Sequence, residues 1–214
     1  MTPAQKLLSR VRAILVDPAW QATGSAGAPG DDVPDTHEER AMQGEFFAAA
    51  IGSPTPDAIL PALVLPDRVT LNWQRGDVAG EIAIANPAMA LERKLDDSLL
   101  AQSVDGVPLG ELRIFDAVTI SAGPLFVLFR IGAEVDPKLQ LFNLRDVRPL
   151  QIDMAEYMMM AAASRGIVFW QYLFCDGRLT PDRTRAVNSG LEFLRTNGAD
   201  DIAELEQRFA ARAF

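Results

Sequence analysis

The stretch Val69-Thr70-Leu71-Asn72-Trp73-Gln74-Arg75-Gly76-Asp77 decides the fold. Val69, Leu71 and Trp73 alternate with Thr70, Asn72 and Gln74, the two-residue period of a strand with one buried face. Arg75-Gly76-Asp77 supplies turn residues, and Glu81-Ile82-Ala83-Ile84 reads as the return strand of a hairpin. The same three letters match a cell-adhesion tripeptide, but the turn accounts for them. Further strands are predicted at Glu111–Ile120, Leu125–Ile131 and Leu139–Leu144, with short connections that suit an antiparallel meander.

On either side the period is helical. Leu7, Leu8, Val11, Ile14 and Leu15 share one face of a helix over residues 3–16, which Asp17-Pro18 ends. Residues 21–34 hold Gly and Pro and read as a loop. A second helix is predicted from Asp35 or Thr36, with capping-box spacing between Thr36 and Glu39 and an apolar stripe of Met42, Phe46, Ala49 and Ala50. After Pro149, Ile152, Ala155, Met158, Met159 and Ala162 share a face, and Arg165-Gly166 suits a C-cap. The Met158-Met159-Met160 triplet is too wide for one face, so one methionine points toward the terminal helices or a partner. Ile167–Phe174 is too apolar to type by period, and strand and helix both stay open. Thr180-Pro181-Asp182 starts a helix lined by Val187, Leu191 and Leu194, and a last helix carries Ile202, Leu205 and Phe209. The fold class is therefore α+β, a mostly antiparallel sheet flanked by N-terminal and C-terminal helices. Residues 1–54 read as an N-terminal helical extension, 55–176 as the α+β core, and 177–214 as a helical pair packing on that core.

The 214 residues carry a formal charge of −9 with 49% hydrophobic and 23% charged residues, a balance that supports a core. So acidic a surface repels phosphate backbones, which argues against nucleic acid and for solubility or a basic partner. No window reaches the roughly 18 apolar residues that span a bilayer, and no signal-peptide pattern opens the chain. A cytoplasmic location without membrane attachment is expected. The single cysteine, Cys175, makes no intramolecular disulfide and lies in an apolar run that suits a buried thiol.

Catalytic templates fail in turn. A Ser-His-Asp or Cys-His set would need His37, the only histidine, at a helix start beside a loop. Neither a nucleophile elbow, a Walker A loop nor a dinucleotide fingerprint occurs. The usual structural zinc site needs more Cys and His than the chain has. Asp31, Asp32, Asp35, His37, Glu38 and Glu39 form an acidic cluster whose spacing fits no calcium loop, and loop solubility with helix-dipole complementation explains it. No metal or other cofactor is expected. Glu81, Glu111 and Asp116 sit in or beside strands, where acid–base work would require burial or like charge to shift them. Solvated or ion-paired carboxylates are the plainer reading. Trp73 follows the inward phase of Val69 and Leu71, so core is its first expectation, and a half-exposed Trp73 would instead mark a binding face.

The order of Leu71-Asn72-Trp73, Gly80-Glu81-Ile82, Phe115-Asp116, Glu156-Tyr157, Arg165-Gly166 and Trp170-Gln171 resembles the SUKH superfamily over roughly residues 60–175. The resemblance implies an α+β domain and, as in many bacterial members, an immunity protein that neutralises a toxin in the cytoplasm. The expected function is thus a non-catalytic protein-binding module that occludes a partner, such as a basic toxin domain, through Trp73, Glu81, Glu111 and Asp116. Two other readings stand beside it: a carboxylate-based metal-dependent hydrolase, and an assembly protein that self-associates through its terminal helices.

Overall fold

A computed structural model of the chain describes residues 1–27, 36–119 and 123–213. Helix α1 (Pro3–Val16) opens with a capping box in which Thr2 and Gln5 satisfy each other's backbone amides. Strand β1 (Thr23–Ser25) precedes α2 (His37–Ile51), whose start is capped by Thr36 Oγ1 accepting from the Glu39 amide at 3.1 Å. The short helix α3 (Leu60–Leu63) leads into β2 (Arg68–Arg75) and β3 (Val78–Ala85), the hairpin expected from the alternation, with Gly76-Asp77 at its turn. Helices α4 (Pro87–Ala90) and α5 (Asp97–Leu100) and the small hairpin of β4 (Ser103–Val104) and β5 (Val107–Pro108) follow. The meander comprises β6 (Leu112–Val118), β7 (Leu125–Ile131), β8 (Val135–Phe142) and β9 (Val147–Pro149). Helices α6 (Met154–Ser164), α7 (Pro181–Thr196) and α8 (Ala203–Ala213) complete the chain. The fold is α+β, as expected. No helix among the described residues is long and apolar enough to cross a membrane.

Strands pair in the order β1-β2-β3 and β6-β7-β8-β9, antiparallel throughout. The two larger sheets meet where β3 lies beside β6. β6 carries a bulge, because Ile114 pairs with Leu128 while Asp116 pairs with Val127, leaving Phe115 as the extra residue. The bulge switches the strand's phase. Leu112 and Ile114 pack in a small core with Leu95, Leu109, Leu128 and Phe142, whereas Phe115 and Val118 join the main core. Strands β1 and β9 were not anticipated; each is three residues long and lies at a sheet edge, too short for alternation to register.

The main core draws on all three expected segments, from Ala4 and Leu7 through Val69 and Phe129 to Val187 and Leu205. Helix α6 is its axis, buried on most sides, with α1 and α8 both packed against it. Met158 and Met160 are buried and Met159 packs on the same core, so the wide triplet reflects a helix covered from several directions. Arg165, at the αL C-cap of α6, donates to the carbonyl of Ala163 and to Asp201 Oδ1 at 2.8 Å, while Arg10 of α1 donates to Asp201 Oδ2 at 2.9 Å. Burial would raise the Asp201 carboxyl, but Arg165 and then Arg10 outweigh it and hold it below the usual range. The apolar faces of α1 and α8 thus pack largely within the chain. Ile167–Phe174 is neither of the two alternatives: Ile167 makes one antiparallel bridge to Gly80, and Trp170–Phe174 forms a 3₁₀ turn.

Trp73 stacks on Phe193 of α7 at 5.4 Å and meets the edge of Trp20 at 5.0 Å, while its indole N–H donates to the Arg165 carbonyl at 2.7 Å. Gly80, its cross-strand partner, leaves room for the ring: a Cβ there would lie 2.3 Å from Nε1. Gly80→Ala should therefore cost about 2–3 kcal/mol through displacement of a hydrogen-bonded indole. Urea denaturation against the wild-type chain checks this; equal midpoints would contradict the packing.

Candidate functional site

The four residues expected to share a binding face do not share one. Trp73 is 1% exposed and Asp116 1% exposed, so neither reaches a partner, and both are corrected to core residues. Glu81 accepts from the Thr119 amide at 2.9 Å and from its hydroxyl at 3.2 Å, fastening β3 to the end of β6. Glu111 pairs with Arg130 at 2.6 Å just before β6 begins. A strand of that length puts the Glu81 contact and Glu111 about 20 Å apart. Alternation predicted Trp73's burial; the bulge, which sequence does not reveal, turned Asp116 inward.

Asp116 closes the seam between the sheets. Its Oδ1 accepts from the Ala83 amide of β3 at 2.8 Å, and its Oδ2 accepts from the Tyr157 hydroxyl of α6 at 2.5 Å. Gln171 Nε2 stands 3.5 Å from the same hydroxyl, and Phe115 and Trp170 flank the Tyr157 ring. Burial pushes the Asp116 carboxyl above the usual carboxylate range, against hydrogen bonds from Tyr157 and from the Ala83 and Ala117 amides that favour its charge. Burial first, then the adjacent carboxylate, raises the Tyr157 phenol well above its normal value, which keeps it a donor. These groups are sealed in the core and tie strand to strand to helix.

The sign of the pH dependence follows from the raised value. A folded state that holds its proton more tightly gains stability below the unfolded pKa and loses it as pH rises through the folded pKa. Wild type should therefore lose stability from about pH 4 upward relative to Asp116→Asn. Asp116→Ala, which strips the acceptor from two buried donors, should cost about 3–5 kcal/mol. Denaturation at a series of pH values tests both, and a pH-independent difference between wild type and Asp116→Asn would remove Asp116 as the group responsible.

Metal-ligating arrangements are absent among the described residues, where no group of three His, Cys, Asp or Glu side chains converges. Asp31, Asp32 and Asp35 lie outside the described residues, while His37 and Glu38 are exposed in the first turn of α2. Cys175 is buried beneath the 3₁₀ turn, and burial pushes its thiol up to about 12. Native protein at pH 8 should react with a disulfide reagent at least about 100-fold more slowly than unfolded protein. Prompt labelling of the native chain would contradict that burial.

The exposed feature that stands out is α2. Its inner side packs through Gly44 and Phe47, with Gly44 lying against Leu60 of α3 and its carbonyl accepting from Thr55 Oγ1 at 2.6 Å. The predicted apolar stripe points the other way. Met42 is 46% and Phe46 66% exposed, and Ala41, Ala49 and Ala50 are exposed beside them. Phe47 competes with Phe46 for the core one residue later, and the close approach allowed by Gly44 decides for Phe47. Helix α2 is therefore apolar on both sides, a pattern that belongs to an interior. Glu38 and Glu45 are exposed on the same outer side, where no Lys or Arg is exposed.

No family model, no curated protein and no solved structure matches this chain.

Proposed function

We propose that this chain is a protein-binding module whose contact surface is the outer side of α2, and that its partner is a basic, amphipathic segment of another protein. One observation carries the reading: Met42 and Phe46, one helical turn apart, are exposed at 46% and 66% between carboxylates. Aromatic and methionine side chains anchor interfaces, and carboxylates at their edge steer cationic partners in a field set by a net charge of −9. Charge also selects among occupants. A second copy would bring Glu38 and Glu45 against like charges with no exposed cation on the helix to answer them, whereas a basic partner pairs with both. Binding by occlusion in the cytoplasm, without catalysis, is the corresponding mode of action. A basic toxin domain, the partner type implied by the SUKH-like order of residues, has the required chemistry.

The test uses a fluorescein-labelled amphipathic helix of Leu and Lys, with a Leu/Glu peptide of equal length as control. Anisotropy should show saturable binding of the basic peptide alone, weakened at least about ten-fold by Met42→Ser/Phe46→Ser and about three-fold or more by Glu38→Gln/Glu45→Gln. The serine pair should leave stability within about 0.5 kcal/mol, since both side chains are largely outside the core. Equal affinity for the serine variant would overturn the α2 surface. So would a stable dimer in sedimentation that the same substitutions dissociate, because a second copy would then be the occupant.

A further inference from the structure

A second surface has the opposite character. Between the β8–β9 turn, the 3₁₀ turn and the start of α7 lies a cleft of about 400 Å³, within the range of small-ligand sites, and no Asp or Glu among the described residues lines it. Its two charged residues are Arg145 and Arg183, and neither is ion-paired among the described residues. In a chain with 29 acidic and 20 basic residues, two cations without a carboxylate in one concavity are a local reversal of charge. The neighbouring acid, Asp146, is occupied by Arg148 at 2.5 Å.

The polar groups of the cleft present donors. Asn143 Oδ1 accepts from the amides of Arg145 and Asp146 at 3.0 and 3.1 Å, which fixes its amide so that Nδ2 donates to the Tyr172 hydroxyl at 3.1 Å. Tyr172 oxygen is thus an acceptor in that bond, and its own O–H remains available to donate. The Arg183 guanidinium lies 3.7 Å from the centre of the Tyr172 ring, which holds the charge over the cleft floor without neutralising it. Two bulky residues of the lining, Leu144 (φ 69°) and Phe169 (φ 68°), sit in the left-handed region that side chains of their size avoid. Non-glycine residues are kept there at a cost in stability, and such positions collect at ligand-binding surfaces. Leu144 is exposed at the cleft, and the Phe169 ring lies 6.0 Å from the Arg183 guanidinium.

We infer that this cleft binds a small organic oxyanion, with Arg145, Arg183 and the Tyr172 hydroxyl holding a carboxylate or phosphate group and Leu144 and Phe169 packing on an apolar or aromatic body. Guanidinium forks match oxyanion geometry, and no carboxylate of the described lining opposes an anion. This site is independent of the α2 surface, and its failure or success leaves that reading untouched.

Phenyl phosphate is the probe, with benzoate, inorganic phosphate and benzyl alcohol as comparison ligands, titrated into the full chain by calorimetry and by protein-observed NMR. Saturable binding of phenyl phosphate near millimolar affinity is expected, as suits so small a molecule. Benzoate or inorganic phosphate, whichever binds more tightly, identifies whether the carboxylate or the phosphate form of the headgroup is preferred, and benzyl alcohol should not bind. Arg145→Gln and Arg183→Gln should each weaken phenyl phosphate at least about ten-fold. Leu144→Gly should raise the melting temperature while weakening the same ligand, because it releases the backbone strain and removes one apolar wall of the cleft. The inference is overturned if phenyl phosphate fails to saturate, if the double Arg145→Gln/Arg183→Gln variant binds it unchanged, or if benzyl alcohol binds equally well.

Discussion

Two antiparallel sheets are joined here by side chains, Asp116 above all, rather than by a continuous ladder. Asp116 takes the place of a backbone carbonyl opposite the Ala83 amide and simultaneously accepts from Tyr157. Without it, the outer edge of β3 would bury an unpaired donor and α6 would lose its polar tether to the strands. The next amide along that edge, Glu81, is satisfied by the carbonyl of Gly166 at 2.8 Å, which brings the end of α6 to the same seam. Gly166 adopts φ 73° there, and any side chain would collide with the Glu81 backbone. Sheet, helix and C-cap are therefore solved together, and a carboxyl whose charge burial disfavours is retained because every lone pair it uses meets a buried donor.

Much of this fold was legible because hydrophobic period carries it. Val69, Leu71 and Trp73 alternate in the structure as in the sequence, and Leu7, Leu8, Val11 and Ile14 bury the face they share. The candidate site was less legible, for identifiable reasons. A bulge at Phe115 changes phase without changing composition, so Asp116 read as a surface acid. The α2 stripe was recognised, but period reports that a face is apolar and not which of two apolar faces is covered. The Arg145–Arg183 cleft was not foreseen at all. Its residues come from segments far apart in the chain, and no spacing rule connects Asn143, Phe169 and Arg183.

Charge distribution sharpens the contrast between the two exposed features. The α2 side combines hydrophobic anchors with carboxylates, in keeping with the overall acidity, while the cleft brings two arginines together without a lining carboxylate. A uniform acidic coat would serve solubility alone. Segregation of the two signs, each beside apolar side chains, suits the two proposed ligands, and the Asp116 seam lies in the core apart from both.

The Arg10–Asp201 contact spans 191 positions of sequence, and Asp201 also holds Arg165 at the end of the central helix. During translation α1 is made well before its partner α6, and the carboxylate that locks both follows later still. Contacts so remote in sequence delay productive collapse. The apolar side of α1 must therefore wait for its full cover until α6 has been made. A nascent chain of this design depends on shielding near the ribosome more than its ordinary size would suggest.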